Sequence, residues 1–344
     1  MTKIFVTGGA GFIGSDFVRY VLEENRDVTV VNFDALTYAG NPENLAGLDE
    51  SRHRFVRGDI CDRRAVIAAI PDDCDAIFNF AAESHVDRSI DSADEFLRTN
   101  VIGTQVLLDV ARARKVRRFV QISTDEVMGS LPDDSEEYFT ESSPLRPNSP
   151  YAASKAAAEF VLRAGRETHK IDTVITRCGN NYGPRQFPEK LIPLMIANAL
   201  NDEPLPVYGD GLNVRDWIYV RDHCRGIWLA YLKGRSGEVY NIGARNERRN
   251  LDVVKAILDA LGKPHSLITF VDDRPGHDRR YAIDPSKAEN ELGWQPITSW
   301  ESGLEATIRW YRENPDWVNR IRTGEYRNYY DQMYGERLER AISK

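Results

Sequence analysis

Five polar residues near the middle of the chain have the types and spacing of a proton-handling site. Tyr151 and Lys155 stand four apart in Ser149-Pro150-Tyr151-Ala152-Ala153-Ser154-Lys155, so on a helix both side chains project from one face. An ammonium close to a phenol favours the phenolate, which makes Tyr151 a candidate base near neutral pH. Upstream, Thr124, Asp125 and Glu126 follow an apolar run at 118–123, just past the carboxyl end of an expected strand, where open α/β sheets bind ligands. Two adjacent carboxylates in a closed site split their proton affinities, one staying protonated as an acid while the other stays ionised as a base. The competing reading of Ser123-x-x-Glu126 is a helix capping box. Gly129 and Pro132 follow inside a polar run, so no helix is expected after the triplet and the carboxylates are read as chemistry. Asn148 or Ser149, with Pro150 next, caps the Tyr151 helix.

The elements that must hold these residues begin at the amino terminus. An apolar strand at 3–7 runs into Gly8-Gly9-Ala10-Gly11-Phe12-Ile13-Gly14 and then a helical pattern. Gly8, Gly11 and Gly14 allow a tight turn, close approach of backbone to a pyrophosphate, and close packing of helix on strand. The helix amino terminus then offers free N–H groups to phosphates. A second strand at 28–33 ends at Asp34, twenty positions past Gly14, where an acidic residue accepts hydrogen bonds from the adenosine ribose hydroxyls. That carboxylate repels a 2′-phosphate, and Ala35-Leu36-Thr37 brings no arginine to hold one. NAD is therefore the expected cofactor, rather than NADP.

Further strands are expected at 54–57, 76–80, 118–123 and 172–177, alternating with helices. The alternation implies an α/β fold: a Rossmann-type doubly wound parallel sheet, with a smaller mixed α/β carboxyl-terminal domain. Asp59 and Ile60 are placed to flank an adenine, and the small Ala81 and Ala82 at a strand end leave room for a cofactor backbone. The segment from about 93 to 114 reads as one helix with a core-facing stripe of Phe96, Val101, Leu107, Leu108 and Ala111; the polar Asn100 inside it is unusual and is marked as a structural residue for the cofactor site. The boundary falls near Arg177. Residues 1–177 are expected to form the NAD-binding domain, with later segments at about 213–243 interleaved, and 178–344 to form mainly the sugar-nucleotide-binding domain.

The composition narrows the classes. With 344 residues, 42% hydrophobic and 28% charged, the chain is long enough for a large domain and a smaller one. A net charge of −8 gives no broad basic surface for nucleic acid or anionic lipid. Cys61, Cys74, Cys178 and Cys224 lie far apart with no CxxC pair, and the six histidines show no HxxxH or HExxH spacing, so no metal site is expected. The glycine-rich start is not a secretory leader and no apolar run reaches membrane-spanning length. A cytoplasmic protein is expected. In the carboxyl-terminal half, arginines suit forked phosphate contacts and Tyr208 suits stacking on a base; each arginine standing alone reads better as a solvated charge. The aromatic and arginine-rich tail at 317–334 is expected to pack on the body.

These segments together resemble the extended short-chain dehydrogenase/reductase family, in its dTDP-glucose 4,6-dehydratase branch. The resemblance rests on 7–14, Asp34–Asn41, Ala81–Ser89, Ser123–Val127, Tyr151–Lys155, Asn180–Pro184, Pro188–Pro193, Arg215–Trp217 and Asp273–Asp278, and so spans nearly the whole chain. It implies dTDP-glucose as substrate, NAD held and recycled, and a lyase reaction: oxidation at carbon 4, loss of water across carbons 5 and 6, and hydride return to carbon 6. Tyr151 would take the proton of the 4-hydroxyl, Glu126 the carbon 5 proton, and Asp125 would protonate the departing 6-hydroxyl. Thr124 would bond the 4-oxygen and Lys155 the nicotinamide ribose. The resemblance also assigns Phe12, Ile13, Ala35, Leu36, Thr37, Ser84, Thr99, Ser123 and Asn181 to the cofactor. It assigns Ser84, Asn180, Lys190, Leu191, Pro206, Val207, Tyr208, Arg215, Asn250, Arg274 and His277 to the substrate.

Residue chemistry by itself leaves dTDP, UDP and CDP open. A sister epimerase or decarboxylase would keep Tyr151 and Lys155 without needing both Asp125 and Glu126, and a silent NAD sensor would be marked by loss of Tyr151 or Lys155. The family pairs as homodimers through two helices each, here 93–114 and 150–169. Two departures from the family pattern stand out: Met128 where a tyrosine is usual, and a shorter loop at 129–143.

Overall fold

The computed structural model describes residues 1–133, 135–322, 330 and 334–342. The amino-terminal half runs β1 (Thr2–Thr7), α1 (Phe12–Glu24), β2 (Val28–Asp34), β3 (His53–Arg57), α2 (Arg63–Ala69) and β4 (Ala76–Asn79). Short helices α3 (Val86–Asp91) and α4 (Asp94–Phe96) lead through a π-helical stretch, Leu97–Gly103, into α5 (Thr104–Ala113). Then come β5 (Arg118–Thr124), α6 (Pro150–His169) and β6 (Thr173–Cys178). The second half adds β7 (Asn180–Tyr182), α7 (Leu191–Leu200), β8 (Leu205–Tyr208), β9 (Val214–Tyr219) and α8 (Val220–Lys233). It closes with β10 (Val239–Ile242), β11 (Glu247–Arg249), α9 (Asn250–Leu261), β12 (Ile268–Val271), α10 (Trp300–Glu313) and α11 (Pro315–Arg322).

Seven strands form one parallel sheet in the order β3-β2-β1-β4-β5-β6-β10. Its strands are nearly continuous apolar runs because both faces are covered. Phe5, Phe33, Ile77 and Phe119 pack under Leu107, Leu108 and Leu162 on one face. Ile4, Val6, Phe78 and Val120 pack under Phe17, Val21 and Trp228 on the other. Chain direction reverses in strand order between β1 and β4, the switch point at which such sheets open a crevice. Register sets that crevice level, because Thr7 pairs with both Phe33 and Asn79, and Thr124 pairs with Cys178.

The smaller part holds a three-stranded sheet, β11-β9-β7, and a two-stranded pair, β12-β8. They pack with α7, α9 and α10 around Ile192, Ile196, Trp217, Ile257 and Tyr311. The chain returns to the first sheet through α8, which packs beside α1, and β10, which pairs with β6. β9 does not join that sheet; it pairs with β7 and β11.

Two local expectations are corrected. The helix expected over 93–114 is not uniform, since its π-helical stretch puts Asn100 in the buried interior and leaves Val101 half-exposed. A turn of helix also does follow the Thr124 triplet. It is a single 3₁₀ turn, Asp125–Met128, capped by Thr124 rather than Ser123. Gly129 ends it at φ +86°, where an added Cβ would lie 2.5 Å from the Arg146 carbonyl oxygen. Residues 323–329 and 331–333 of the aromatic tail lie outside the described residues. Trp317, at its start, is buried edge-on to Trp310 with ring centroids 4.9 Å apart.

Candidate active site

One continuous cavity runs along the carboxyl ends of the main sheet, from Asp34, Asp59 and Ile60 past Ala81 and Ala82 to Tyr151, Lys190 and Leu191. At the switch point, Gly8 sits at φ +69°, and a Cβ there would lie 2.5 Å from the Ala81 nitrogen. Gly14 is as tightly held, with a Cβ position 2.3 Å from the Gly8 carbonyl oxygen. Gly11 differs: it opens α1 with no side-chain cap, and an added Cβ meets only the Gly8 oxygen at 3.3 Å. The turn is thus closed on the protein side and open on the cavity side, above a helix amino terminus, as a phosphate cradle must be.

Asp34 closes the next strand end. Its Oδ2 accepts from the Ala10 N–H and its Oδ1 from the Leu36 N–H, both at 2.8 Å. Each oxygen keeps a lone pair for a ribose hydroxyl, while burial raises the carboxyl pKa against those two bonds. Of the residues expected to touch the cofactor, only Leu36 does not line the cavity. It is held at φ +54° and shapes the loop. Ser123 lines the cavity, but its hydroxyl donates to Glu159 Oε1 at 2.6 Å. Asp59 accepts from Arg98 Nη2 at 2.6 Å, so Arg98, which periodicity did not single out, stands at the expected adenine end.

The polar floor was not legible in sequence. Asn79 accepts from Thr7 Oγ1 at 2.7 Å and donates to Gln121 Oε1 at 2.9 Å, tying β1, β4 and β5 together below the crevice. Asn100, carried inward by the π-helical stretch, accepts from the Glu83 N–H at 2.9 Å and donates to the Glu83 carbonyl at 3.0 Å and to Ser154 Oγ at 2.8 Å. It joins the strand-end loop after β4 to the helix that carries Tyr151 and Lys155.

Ser149 caps α6, accepting from the Ala152 N–H at 3.1 Å, with Pro150 first in the helix. Tyr151 and Lys155 therefore lie in its first two turns, both buried. Lys155 Nζ donates to the Ile122 carbonyl at 2.6 Å, and burial brings its pKa down to about 8. Burial and the charges of Glu126, Cys178 and Asp125 hold the Tyr151 phenol well above its ordinary pKa, with the Thr124 hydroxyl the group that opposes them.

Asp125 is 2% exposed, and its Oδ2 has no hydrogen-bond partner among the described residues. Burial, then the Glu126 and Asp216 carboxylates, raise its pKa well above the usual range. Glu126 is also raised by burial, but Arg274, Lys190 and Arg215 pull it back. Arg215 opposes the rise at both carboxyls, but Glu126 also has Arg274 and Lys190, whereas Asp125 has two anionic neighbours, so cations weigh more on Glu126. Met128 is buried beneath them, 2% exposed, with Val127, Ala156 and Ile283 around it, and its sulfur accepts from Arg177 Nη1 at 3.6 Å.

Of the residues assigned to the substrate, Ser84, Thr124, Asn180, Lys190 and Leu191 line the cavity. Lys190 Nζ donates to the Ser84 carbonyl at 3.0 Å. Beyond it, Arg274 Nη1 donates to Asp87 Oδ1 at 2.9 Å, Tyr208 hydroxyl to Asp87 Oδ2 at 3.3 Å, and His277 stands edge-on to Tyr208. Arg215 lies over the Tyr281 ring, 4.3 Å from its centroid. Asn250 keeps a buried Oδ1 with no partner among the described residues. Pro206 is buried in β8 next to Val207. The Val207 side chain is buried in the core, so a ligand would meet its backbone.

The cavity combines a dinucleotide cradle with a phenol, an ammonium and a split carboxylate pair. Comparison with known proteins gives this combination a family. The family model described as GDP-mannose 4,6 dehydratase matches residues 5–307. The dTDP-glucose 4,6-dehydratase of Salmonella typhimurium is 48% identical, over 96% of this chain and 99% of its own. The low-salt glycan biosynthesis protein Agl12 of Haloferax volcanii is 56% identical, over 90% of this chain and 98% of its own. The crystal structure of DesIV, a dTDP-glucose 4,6-dehydratase from Streptomyces venezuelae with NAD and dTDP bound, superposes with a TM-score of 0.90 at 52% identity, covering 93% of this chain and 100% of that one. A cavity of this chemistry and likeness over nearly the full length make the chain a member of the dTDP-glucose 4,6-dehydratase family of extended short-chain dehydrogenases/reductases.

Proposed function

We infer that the protein is an NAD-dependent hydro-lyase that converts dTDP-glucose to dTDP-4-keto-6-deoxyglucose. The observation that carries this reading is the placement of Asp125 and Glu126, in unequal electrostatic surroundings, in the same cavity as Tyr151 and the Gly8–Gly14 cradle. The cradle fits the cofactor: a side chain is excluded at Gly8 and Gly14, a Cβ at Gly11 would already press on the Gly8 carbonyl oxygen at 3.3 Å, and Asp34 stands ready for a ribose. Bound NAD supplies a reversible hydride acceptor and a positively charged ring that favours the Tyr151 phenolate.

Tyr151 then takes the proton of the 4-hydroxyl, while the Thr124 hydroxyl orients the 4-oxygen. The resulting ketone acidifies carbon 5. Glu126, ionised opposite Arg274, Lys190 and Arg215, removes that proton. Asp125, kept protonated by burial and its anionic neighbours, gives its proton to the 6-hydroxyl as water leaves. Asp59, Ile60 and Thr99 hold the adenosine end, and Lys155 and Asn181 the nicotinamide end. Arg215, Arg274, Asn250 and His277, with Tyr208, hold the nucleotide diphosphate.

We assign residues 1–177 with α8 and β10 to the cofactor lobe, and most of 178–344 to the substrate lobe. The protein works as a homodimer in this reading. Leu97 and Ile102 on the helix before α5 are 48% and 57% exposed, and Phe160 on α6 is 58% exposed, an apolar surface that a second copy would cover. The four cysteines are free thiols, which fits the cytoplasm. Among the described residues no helix is long and apolar enough to cross a membrane.

The test is incubation of purified protein with dTDP-glucose and no added NAD, followed by mass spectrometry. The expected product is lighter by one water. An epimerised sugar of unchanged mass overturns the reading in favour of a sister epimerase.

A further inference from the structure

We propose that Tyr38 is a positioning residue that locks the cofactor in its cavity by tying the nucleotide wall to the substrate wall. The inference rests on the NAD-dependent reading above. The loop that follows β2 lies along the cavity, with Ala35, Thr37, Ala39 and Gly40 lining it. One side of this loop is fastened to the glycine turn. Ala10 N–H donates to Asp34 Oδ2 at 2.8 Å, and the Ala10 carbonyl accepts from Asn41 N–H at 3.0 Å and from Asn44 Nδ2 at 2.9 Å. Between these anchors the bonds of the loop are local, from the Leu36 N–H to Asp34 Oδ1 and from the Gly40 N–H to the Thr37 carbonyl.

The Tyr38 side chain crosses to the opposite wall. Its ring stands edge-on to Phe187, with centroids 5.6 Å apart and planes at 86°. The Arg88 guanidinium lies over the same ring, 3.9 Å from its centroid. Its hydroxyl is buried and faces the Glu189 carboxylate, short of a well-formed hydrogen bond. Phe187 and Glu189 line the cavity from the far side, directly before Lys190 and Leu191. Tyr38 is thus a strut between the loop over the expected ribose site and the segment that leads to the substrate residues.

An internal redox cycle gives such a strut a purpose. The hydride removed from carbon 4 must return to carbon 6 of the same sugar, so a cofactor that leaves between those steps aborts the turnover. Ring contacts with an arginine and a phenylalanine must break before the loop can lift. Because the far end of the strut adjoins Lys190 and Leu191, a nucleotide seated there holds the strut closed. Coupling of this kind is reciprocal, so cofactor release slows when nucleotide is bound.

The experiment follows NAD leaving the purified holoenzyme on dilution, by enzymatic assay of free NAD, with and without dTDP. Tyr38→Ala is expected to release NAD roughly 10- to 100-fold faster than wild type, and to lose most of the slowing by dTDP. Its kcat with NAD added in excess should fall far less than its retention. Tyr38→Phe keeps the ring contacts and should stay within about threefold of wild type. Arg88→Met, which removes the cation but leaves the tyrosine, provides a second measure should Tyr38→Ala misfold; it is expected to release NAD faster. If wild type holds NAD and a folded Tyr38→Ala or Arg88→Met holds it equally long, the strut is overturned while the cofactor reading stands. If wild type itself binds no NAD, the cofactor reading fails and the strut with it.

Discussion

Arg177 and Glu159 form a buried ion pair beneath the catalytic turn. Arg177 Nη2 lies 2.7 Å from Glu159 Oε2, Nε lies 3.0 Å from Oε1, and each side chain is 5% exposed. The pair also takes the Ser123 hydroxyl and the Met128 sulfur, so it fastens β5, β6 and α6 at the point where Thr124, Asp125 and Glu126 begin. Removing one partner leaves the other charge buried and unpaired. Glu159→Gln and Arg177→Met are each expected to destabilise the fold by about 3–5 kcal/mol, read as a shift of the urea midpoint. The double variant Glu159→Leu/Arg177→Met should recover part of that loss. Single variants with wild-type midpoints would show that the pair carries no such strain.

The glycine turn separates two effects that one substitution usually mixes. At Gly8 both φ and the Ala81 backbone forbid a side chain, so Gly8→Ala is expected to damage the fold itself and lower the thermal midpoint by several degrees. At Gly11 φ is not positive and an added Cβ meets only the Gly8 carbonyl oxygen, at a tight 3.3 Å. Gly11→Ala should therefore lower the midpoint less than Gly8→Ala while binding NAD about tenfold more weakly or worse. The check is paired calorimetry, thermal and binding, on both variants. Equal stability losses would place Gly11 in the same structural role as Gly8.

How much of this was readable follows from the range of the interactions. Strand, glycine turn, helix and Asp34 are local signals, and they placed the crevice correctly. The Ser149 cap and Pro150 likewise set the start of α6. Asn100 stood out as a polar residue with a structural part at the cofactor site, but its partners did not, because periodicity cannot announce a π-helical stretch that rotates one polar residue inward. The bond from the Lys155 ammonium to the Ile122 carbonyl, across 33 positions of sequence, was not readable because it depends on how β5 packs against α6. Val207 was assigned by resemblance alone, which does not tell that its side chain belongs to the core. Arg98 sits on the π-helical stretch and Tyr38 and Glu189 on loops, and all three meet their partners only in three dimensions.

The unlike surroundings of Asp125 and Glu126 divide the elimination into two separable losses. Glu126→Gln removes the base: exchange of the carbon 5 proton with solvent should stop, while oxidation at carbon 4, seen as reduced-cofactor absorbance, survives. Asp125→Asn removes the acid: exchange at carbon 5 should continue, with water loss slowed about 100-fold or more. The measurement is deuterium incorporation beside product formation in heavy water. Exchange that persists in Glu126→Gln would take Glu126 out of its role. The Asp125→Asn amide also lacks a titrating proton, so any limb of the rate profile that reports loss of the acid at high pH should vanish in that variant.

Glu189 carries a pH dependence that belongs to stability. Its side chain is 2% exposed, 3.8 Å from both His85 Nε2 and Arg88 Nε. Burial pushes its pKa up to about 7, although Lys190 and Arg88 oppose the rise. The folded state therefore binds this proton more tightly than the unfolded chain, where the group titrates near 4.5. The stability it contributes is fully present below that unfolded value and is lost as pH rises through about 7. The swing is on the order of 3 kcal/mol for a shift of this size. Glu189→Gln holds the neutral form permanently, so the variant should match wild type near pH 4.5 and exceed it near pH 8. Urea unfolding at both ends of that window measures the difference directly. A constant gap between the two proteins across the window would mean that the carboxylate is already ionised throughout, held by Arg88 and Lys190 more strongly than burial opposes it.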